Sequence, residues 1–476
     1  MKNLLVKFSF VFLILTLYGF AEANEPNVTL TFETKNSNGE TAILYQLPPI
    51  GKWIELGKAK PDEKGLLNFS IHLDKPQRLI IIYKDRSSSN LFIKPDTDYR
   101  FYVDYDGTNV DITNENTEDV VNLFFGKWQQ SNGSFTYKDQ KPYELKGDEK
   151  VAAFDKEEAN ANLFLKDFVK KYQPDTEEYF FIESFIHNSL LGMRFNHMMD
   201  GESYENLKEL VASEELNKLF NKIRLDPRFL RLSTSDYAFP LSYYTRFASV
   251  KAFVEDQGVT RYEDVSQEMY LNFIKDIPKL SIPVEIKEYL LARQISDVVQ
   301  AKEMYAELMP VMQSNYPDSE YIPVLKDLFS KAHNLDGNPA PDIKGITVLG
   351  DSISLTSLKG KVVYLDFWAT WCGPCRAEFP KSIELKKQFE VRDDVVFMYV
   401  SVDEETEKWQ KYVKEHPELK GLHVNGYGDY REGFGKAYGI GGIPHYVLIN
   451  KEGIVVESNA PRPSDERTVA LIKEQL

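Results

Sequence analysis

The stretch from Lys361 to Pro380, KVVYLDFWATWCGPCRAEFP, limits the fold more than any other part of this chain. Val362 to Phe367 is an apolar run of β-branched and aromatic residues, the pattern of a buried strand. A short turn follows, then Cys372-Gly373-Pro374-Cys375, then a helical pattern that continues past Pro380. A strand feeding a helix whose first turn carries two thiols belongs to a layered α/β unit. The position also sets a chemistry. The first cysteine lies among unpaired backbone N–H groups at the positive end of the helix dipole. Such a site favours the thiolate, the form that attacks disulfides.

These are the only two cysteines in 476 residues. Exported chains use cysteines mainly as staples, and a pair so close in sequence closes too small a ring to stabilise much. Export itself is expected. Lys2 and Lys7 precede an apolar run from Phe8 to Phe20, and Ala21-Glu22-Ala23 follows as an A-x-A-like cleavage site, the layout of a signal peptide over residues 1–23. A membrane span needs about 20 apolar residues, more than this run supplies. No cysteine follows it to carry a lipid, so the mature chain is expected in the periplasm or cell envelope and not as a lipoprotein. The hydrophobic share of 42% and aromatic share of 13% argue for folded domains rather than disorder, and the length for two or three of them. A net charge of −16 argues against nucleic acid as a partner.

From residue 24 to about 110 the pattern is strand-like. Val28, Leu30 and Phe32 alternate with polar residues, as do Phe69, Ile71 and Leu73, while Leu79 to Tyr83 is continuously apolar. Turn signals at Asn38-Gly39, Pro48-Pro49, Gly65 and Pro95-Asp96 punctuate them. An all-β, antiparallel sandwich of about six to eight strands is expected. His72 reads as an ordinary strand residue. From 111 to 335 the period becomes helical, as at Leu165, Val169 and Tyr172, with Pro174, Pro227, Pro240, Pro278, Pro283, Pro310 and Pro317 expected to break the region into several helices. The aromatic stripe Tyr179-Phe180-Phe181 reads as core. His187, Met193, His197, Met198 and Met199 lack the spacing of a metal site. No clear repeat period is visible.

Asn334 to Pro341, NLDGNPAP, is a Gly/Pro-rich joint that marks a boundary near residue 336. Beyond it strand and helix patterns alternate: strands at 343–349, 353–355, 395–402, 445–449 and 454–457, and helices at 374–389, 404–415, 430–438 and 465–476. The expected architecture is multidomain: an N-terminal all-β sandwich, an α-helical middle and a C-terminal α/β domain over 336–476.

That last domain resembles the TlpA/ResA-like thioredoxin-fold thiol–disulfide oxidoreductases of the bacterial envelope, relatives of the peroxiredoxins. The likeness rests on NPAPDI at 338–343, SLKGKVVYLDFWATWCGPCRAEFP at 357–380, SVD at 401–403 and GIGGIPHYVLINKEG at 439–453. It covers under a third of the chain. The resemblance implies that Cys372 is the exposed attacking cysteine and Cys375 the resolving one. It also implies that Trp371 shapes a docking surface, that Gly373 and Pro374 form the intervening dipeptide, and that Asp366 is a buried acid. In an apolar strand such an acid has a raised pKa and can take and return the Cys375 proton through water. Pro380 matches a helix-kinking proline. Pro444 matches the proline preceded by a cis bond, which leaves the backbone of Ile443 free to pair with a substrate strand. His445 departs from the threonine common in thioredoxins; it either tunes the thiolate or packs beside the loop.

The implied reaction is thiol–disulfide exchange on protein disulfides or dithiols. Its carrier is the redox-active Cys372–Cys375 disulfide, with no other cofactor and no metal. A structural zinc would need four ligands, and only His445 offers a third. Direction follows from reduction potential, which spans about −270 to −120 mV in this fold, or about 7 kcal/mol. Gly-Pro between the cysteines and an acid at Asp366 resemble the reducing end. A reductase outside the cytoplasm needs a membrane-derived electron donor; envelope redox homeostasis and cytochrome c maturation are the family's destinations. The competing class is a client- or glycan-binding protein whose thioredoxin domain is accessory. A disulfide isomerase would want a dimer.

Overall fold

The structure, a computed structural model, describes residues 25–476 apart from 36–39, 52, 84–86, 106–109, 115, 117, 133–146, 200–205, 233, 262–263 and 427–429. The expected signal peptide lies outside the described residues, as do the side chains of His197, Met198 and Met199. No described helix is long and apolar enough to cross a membrane. The chain divides into two compact units, residues 1–201 with 228–240 and residues 202–227 with 241–476.

The first unit opens with eight strands: β1 (Val28–Lys35), β2 (Ala42–Gln46), β3 (Ile54–Ala59), β4 (Leu66–Ile71), β5 (Gln77–Tyr83), β6 (Ser87–Ile93), β7 (Tyr99–Tyr105) and β8 (Val110–Thr113). They form two four-stranded sheets, ordered β4-β1-β7-β8 and β3-β2-β5-β6. Alternation decides which side chains face inward: Val28, Leu30 and Phe32 are buried, and the ring of Phe32 stacks on Phe101 at 5.0 Å. One pairing corrects the antiparallel expectation. β1 and β7 run parallel, with Leu30 opposite Tyr99; five strands lie between them in sequence, so no hairpin forces a reversal.

Helices follow as α1 (Val120–Asn132), α2 (Gly147–Tyr172) and α3 (Thr176–Met199). Asn122 of α1 replaces a missing neighbour at the sheet edge. Its amide accepts from the backbone N–H of Phe92 at 2.8 Å and donates to the Phe92 carbonyl at 2.6 Å, which satisfies the edge strand as another strand would. Phe124 packs edge-on against Phe168 at 5.4 Å and Phe185 at 6.0 Å. Of the stripe expected in the core, Phe181 is buried but Phe180 is half-buried and Tyr179 exposed, because three consecutive helical residues cannot share one face.

The division between units passes through α4 (Thr234–Gln257). The second unit continues with α5 (Gln267–Asp276), α6 (Val284–Asp297), α7 (Lys302–Asn315) and α8 (Tyr321–Ala332). Pro240 and Pro310 were expected to break helices, yet both sit inside them. An interior proline costs about 3 kcal/mol. Around Pro310 the buried Leu308, Met309 and Met312 offset that, at about 1.5–3 kcal/mol for each fully buried side chain.

The rest of the second unit is a seven-stranded sheet ordered β10-β9-β13-β12-β11-β14-β15. Its strands are β9 (Lys344–Thr347), β10 (Ser352–Ser354), β11 (Val362–Trp368), β12 (Val395–Ser401), β13 (Leu422–Asn425), β14 (His445–Ile449) and β15 (Val455–Glu457). Helices α9 (Gly373–Lys387), α10 (Thr406–Glu415) and α11 (Arg467–Lys473) complete it. All seven residues of β11 are buried, as a central strand covered on both faces requires. β11 runs parallel to β12 and antiparallel to β14.

The joint from Asn334 to Pro341 is bound to the sheet rather than hanging free. Gly337 N–H donates to Val455 O at 2.8 Å and Ala340 N–H to Gly453 O at 2.9 Å. Gly337 takes φ 76°, a left-handed conformation that favours glycine. Ion pairs tie the preceding helices to the same place. Lys302 Nζ lies 2.6 Å from Asp336 Oδ2 and 2.9 Å from Glu457 Oε2, and His333 Nδ1 lies 3.2 Å from Asp336 Oδ2. Burial pushes the Asp336 carboxyl up, but hydrogen bonds from His333, Lys302 and Ser458 outweigh it and hold it well below the usual carboxylate range. A depressed carboxylate stabilises the fold above about pH 4 and loses that contribution as pH falls. Asp336→Asn should therefore cost about 1–3 kcal/mol at pH 7 and progressively less below pH 4. Denaturation midpoints against pH check this; an equal loss at pH 7 and pH 3 would contradict it.

Candidate functional site

The site forms where β11 ends. Trp368 closes the strand, and its carbonyl accepts from Val402 N–H of the neighbouring chain segment at 2.9 Å. Ala369, Thr370 and Trp371 then turn the chain into α9, with Cys372 at the N-cap position (φ −80°, ψ 99°). Cys372 and Cys375 are joined as a disulfide with their Cα atoms 5.3 Å apart. Cys372 Sγ accepts from the backbone N–H of Cys375 at 3.2 Å, so an unpaired amide of the first helical turn already points at this sulfur. Pro374 stands in that turn, where its missing N–H costs nothing.

Around the sulfurs, Trp371, Gly373 and Pro374 are exposed, Trp371 by 68%. Cys372 itself is only 4% exposed and Cys375 1%. That is a correction to the expectation of an exposed attacking cysteine: in the disulfide-bonded state its sulfur is turned inward onto Cys375. The exposed face of the site is the Trp371 ring and the Gly373-Pro374 backbone.

The second part of the site arrives with β14. Its register puts His445 opposite Phe367 and Tyr446 opposite Asp366, so the start of β14 lies at the same sheet end as the cysteine turn. The Ile443–Pro444 bond is cis. Ile443 precedes the ladder, and its backbone N–H and C=O have no hydrogen-bond partner among the described residues. His445 is buried, its ring 5.9 Å from that of Phe367, so it packs beside the loop at the sheet end that carries the cysteine turn.

Asp366 lies on β11 beneath the helix and is 2% exposed. Burial pushes its carboxyl well above the usual range, and the negative charge of Glu378 adds to the effect. Its Oδ1 has no hydrogen-bond partner, so nothing offsets the desolvation of the charged form.

Two residues with no assigned role in the sequence complete the surroundings. Asp403, in the SVD segment, is 3% exposed. It accepts from Thr370 N–H at 2.9 Å, from Thr370 Oγ1 at 2.7 Å and from Ser401 Oγ at 2.7 Å, which clamps the turn just before the cysteines. Its place at the C-terminal end of a parallel strand was the available signal. Glu378, one turn beyond Cys375 on α9, accepts from Ser464 N–H at 3.1 Å and Ser464 Oγ at 3.0 Å. Only its electrostatic effect on Asp366 marks it out, and that needs the fold. Elsewhere, His333, Asp336 and Glu457 offer ligand atoms close enough for a cation. Lys302 Nζ already lies between the two carboxylates, so an ammonium fills that role.

Residues 335–476 match the redoxin family. The same region is 31% identical over 138 residues to the thiol-disulfide oxidoreductase ResA of Bacillus thuringiensis (strain Al Hakam), covering 29% of this chain and 77% of that relative. The chain belongs to the ResA-like thiol–disulfide oxidoreductases. It is likewise 32% identical over 120 residues to the thioredoxin-like protein YneN of Bacillus subtilis (strain 168), covering 25% of this chain and 68% of YneN. The thioredoxin domain of a thiol-disulfide oxidoreductase from Bacteroides vulgatus is a solved structure 30% identical to it, covering 29% of this chain and 96% of that one at a TM-score of 0.27. The ResA-like assignment makes the chain an enzyme of thiol–disulfide exchange.

A carboxyl with a raised folded pKa costs nothing below the ordinary value of 3.8 and costs progressively more stability as pH rises from there toward the folded value. Asp366→Asn should therefore raise the melting midpoint at pH 7 and change it little at pH 3.5. A variant less stable than the parent at pH 7 would contradict this account of Asp366.

Proposed function

We propose that this ResA-like enzyme is an exported reductase of protein disulfides that cycles Cys372 and Cys375 between dithiol and disulfide. The observation that carries the reading is the Cys372 sulfur: it sits at the N-cap of α9, receives the Cys375 N–H and shares a sheet end with cis-Pro444.

In the reduced enzyme the first-turn amides stabilise the Cys372 thiolate. This thiolate attacks one sulfur of the client disulfide; a mixed disulfide forms and the other client sulfur leaves as a thiolate that takes a proton from solvent. Ile443, whose backbone groups are open, pairs with the client strand and holds it over the cysteines. The fraction of Asp366 that is ionised, made strongly basic by its burial, then accepts the Cys375 proton through water. The Cys375 thiolate attacks Cys372 Sγ, the client leaves as its second thiolate, and the enzyme is left with the disulfide seen here. Two electrons have passed to the client through the cysteine pair, which needs no further cofactor.

Direction follows from the charges near the pair. Burial of Asp366, with the negative charge of Glu378 adding to it, favours the neutral carboxyl, so these acidic surroundings beneath the helix resist further negative charge. An oxidant of this fold is one whose reduced form is stabilised. Acidic surroundings do the opposite, destabilising thiolates and favouring the disulfide in the enzyme. Restoring the dithiol outside the cytoplasm requires an electron donor held by the membrane. The basic, apolar and small-residue succession of residues 1–23 supports export to the envelope. Cytochrome c maturation is one destination such a reductase serves, and general envelope redox homeostasis another.

Cys372→Ser should abolish reduction of a protein disulfide, whereas Cys375→Ser should accumulate enzyme–client mixed disulfides visible on non-reducing gels. Asp366→Asn should leave the first attack intact and slow release of the mixed disulfide at pH 7 by about 100-fold. Turnover that survives Cys372→Ser refutes the mechanism.

A further inference from the structure

A cleft of about 500 Å³ opens beside the start of β14, with Pro444 and His445 on one wall and Lys302 and Glu303, at the first turn of α7, on the other. Its remaining lining comes from the segment after β15, including Arg462 and Arg467. The helices ahead of the redoxin domain thus supply one side of a groove that begins at the cis-proline. Their position is pinned from several directions: Lys302 by Asp336 and Glu457, Glu303 by Arg467 at 2.9 Å, and the Ala332 carbonyl by Asn459 Nδ2 at 2.6 Å.

The charges in the cleft are unequally satisfied. Lys302 has two carboxylates within 2.9 Å. Arg467 makes short hydrogen bonds to Asp465 and Glu303. Arg462 has only Glu378 Oε1, at 3.7 Å, with its side chain 56% exposed. It makes no side-chain hydrogen bond among the described residues, and Glu378 takes its own hydrogen bonds from Ser464. A guanidinium carries five donors in a planar fork matched to a carboxylate. Here that fork stands open at the wall of a groove leading from the backbone that receives the client.

We propose that this cleft is a client-selecting subsite, in which the polypeptide running on from the client's reactive cysteine lies between α7 and the β14 end and presents an aspartate or glutamate to Arg462. The inference rests on the thiol–disulfide exchange reading and adds the class of client it prefers. It also gives the helical middle a part in client choice. Because the start of α7 lines the cleft together with Pro444 and His445, a chain segment there meets the helices as well as the cis-proline end. The volume falls within the range of a built ligand pocket and suits a few residues of polypeptide. Lys302, Glu303 and Arg467, already paired with one another or with the joint, form the walls and leave recognition to Arg462.

The test uses the full exported chain, reduced, with two peptides that each carry a fluorophore released on disulfide reduction. They are identical except for aspartate or lysine beside the cysteine. The wild type should reduce the aspartate peptide with a kcat/KM about two- to fivefold higher, as expected for a partly exposed ion pair, and added salt should shrink the difference. Arg462→Glu should invert the ratio, and Arg462→Lys should keep its sign. Because the readout is a ratio within each variant, a general loss of activity does not imitate the effect. Equal kcat/KM values for the two peptides with the wild type, or a ratio untouched by Arg462→Glu, overturns the subsite. Failure to reduce either peptide overturns the exchange reading on which it rests.

Discussion

The end of β11 cannot move, and the site depends on that. The strand is paired with β12 along one edge and with β14 along the other, and both its faces are covered. The chain leaving Trp368 is therefore fixed in position before it turns. Asp403 then holds Thr370 through both backbone and hydroxyl, so the N-cap residue of α9 has little freedom. A cysteine placed there receives an amide hydrogen bond as a consequence of helix geometry. The same strand carries Asp366 under the helix and, through its antiparallel partner, brings Pro444 to the same sheet end. One strand held on both edges thus sets the sulfur, the acid and the cis-proline backbone relative to each other.

The two carboxyl groups with the largest consequences show how differently placement acts. Asp336 is surrounded by donors, so its charged form is favoured and it joins the helices to the sheet. Asp366 has none for Oδ1, so burial, with the charge of Glu378 adding to it, favours its neutral form. The first is an anchor whose value lies in being charged. The second is held at a cost to stability, which is characteristic of groups that serve a reaction rather than the fold.

Much of this was legible in the residues. The apolar, β-branched run at 362–367 reads as a buried strand, and it is one; Cys372 and Cys375 likewise lie at the start of the helix the sequence places there. The strand at His445–Ile449 also lies where its apolar pattern put it. What stayed hidden was of two kinds. β13 is four residues, Leu422–Asn425, and a run with a histidine and an asparagine in four positions has no readable period. The partners of Asp403, Glu378 and Arg462 come from neighbouring strands or from segments far apart in sequence, and no local pattern encodes them. Prolines misled in the opposite direction at Pro240 and Pro310, where surrounding helix outweighs the local penalty. The parallel pairing of β1 and β7 is likewise a property of topology, invisible in alternation alone.

The redox equilibrium of the Cys372/Cys375 pair against glutathione, read by thiol titration of the full chain, tests the central claim most directly. A reductase held in acidic surroundings should give a potential toward the reducing end of the fold, near about −270 mV. A value near about −120 mV, the region of strong oxidants, would contradict the proposed direction of electron flow.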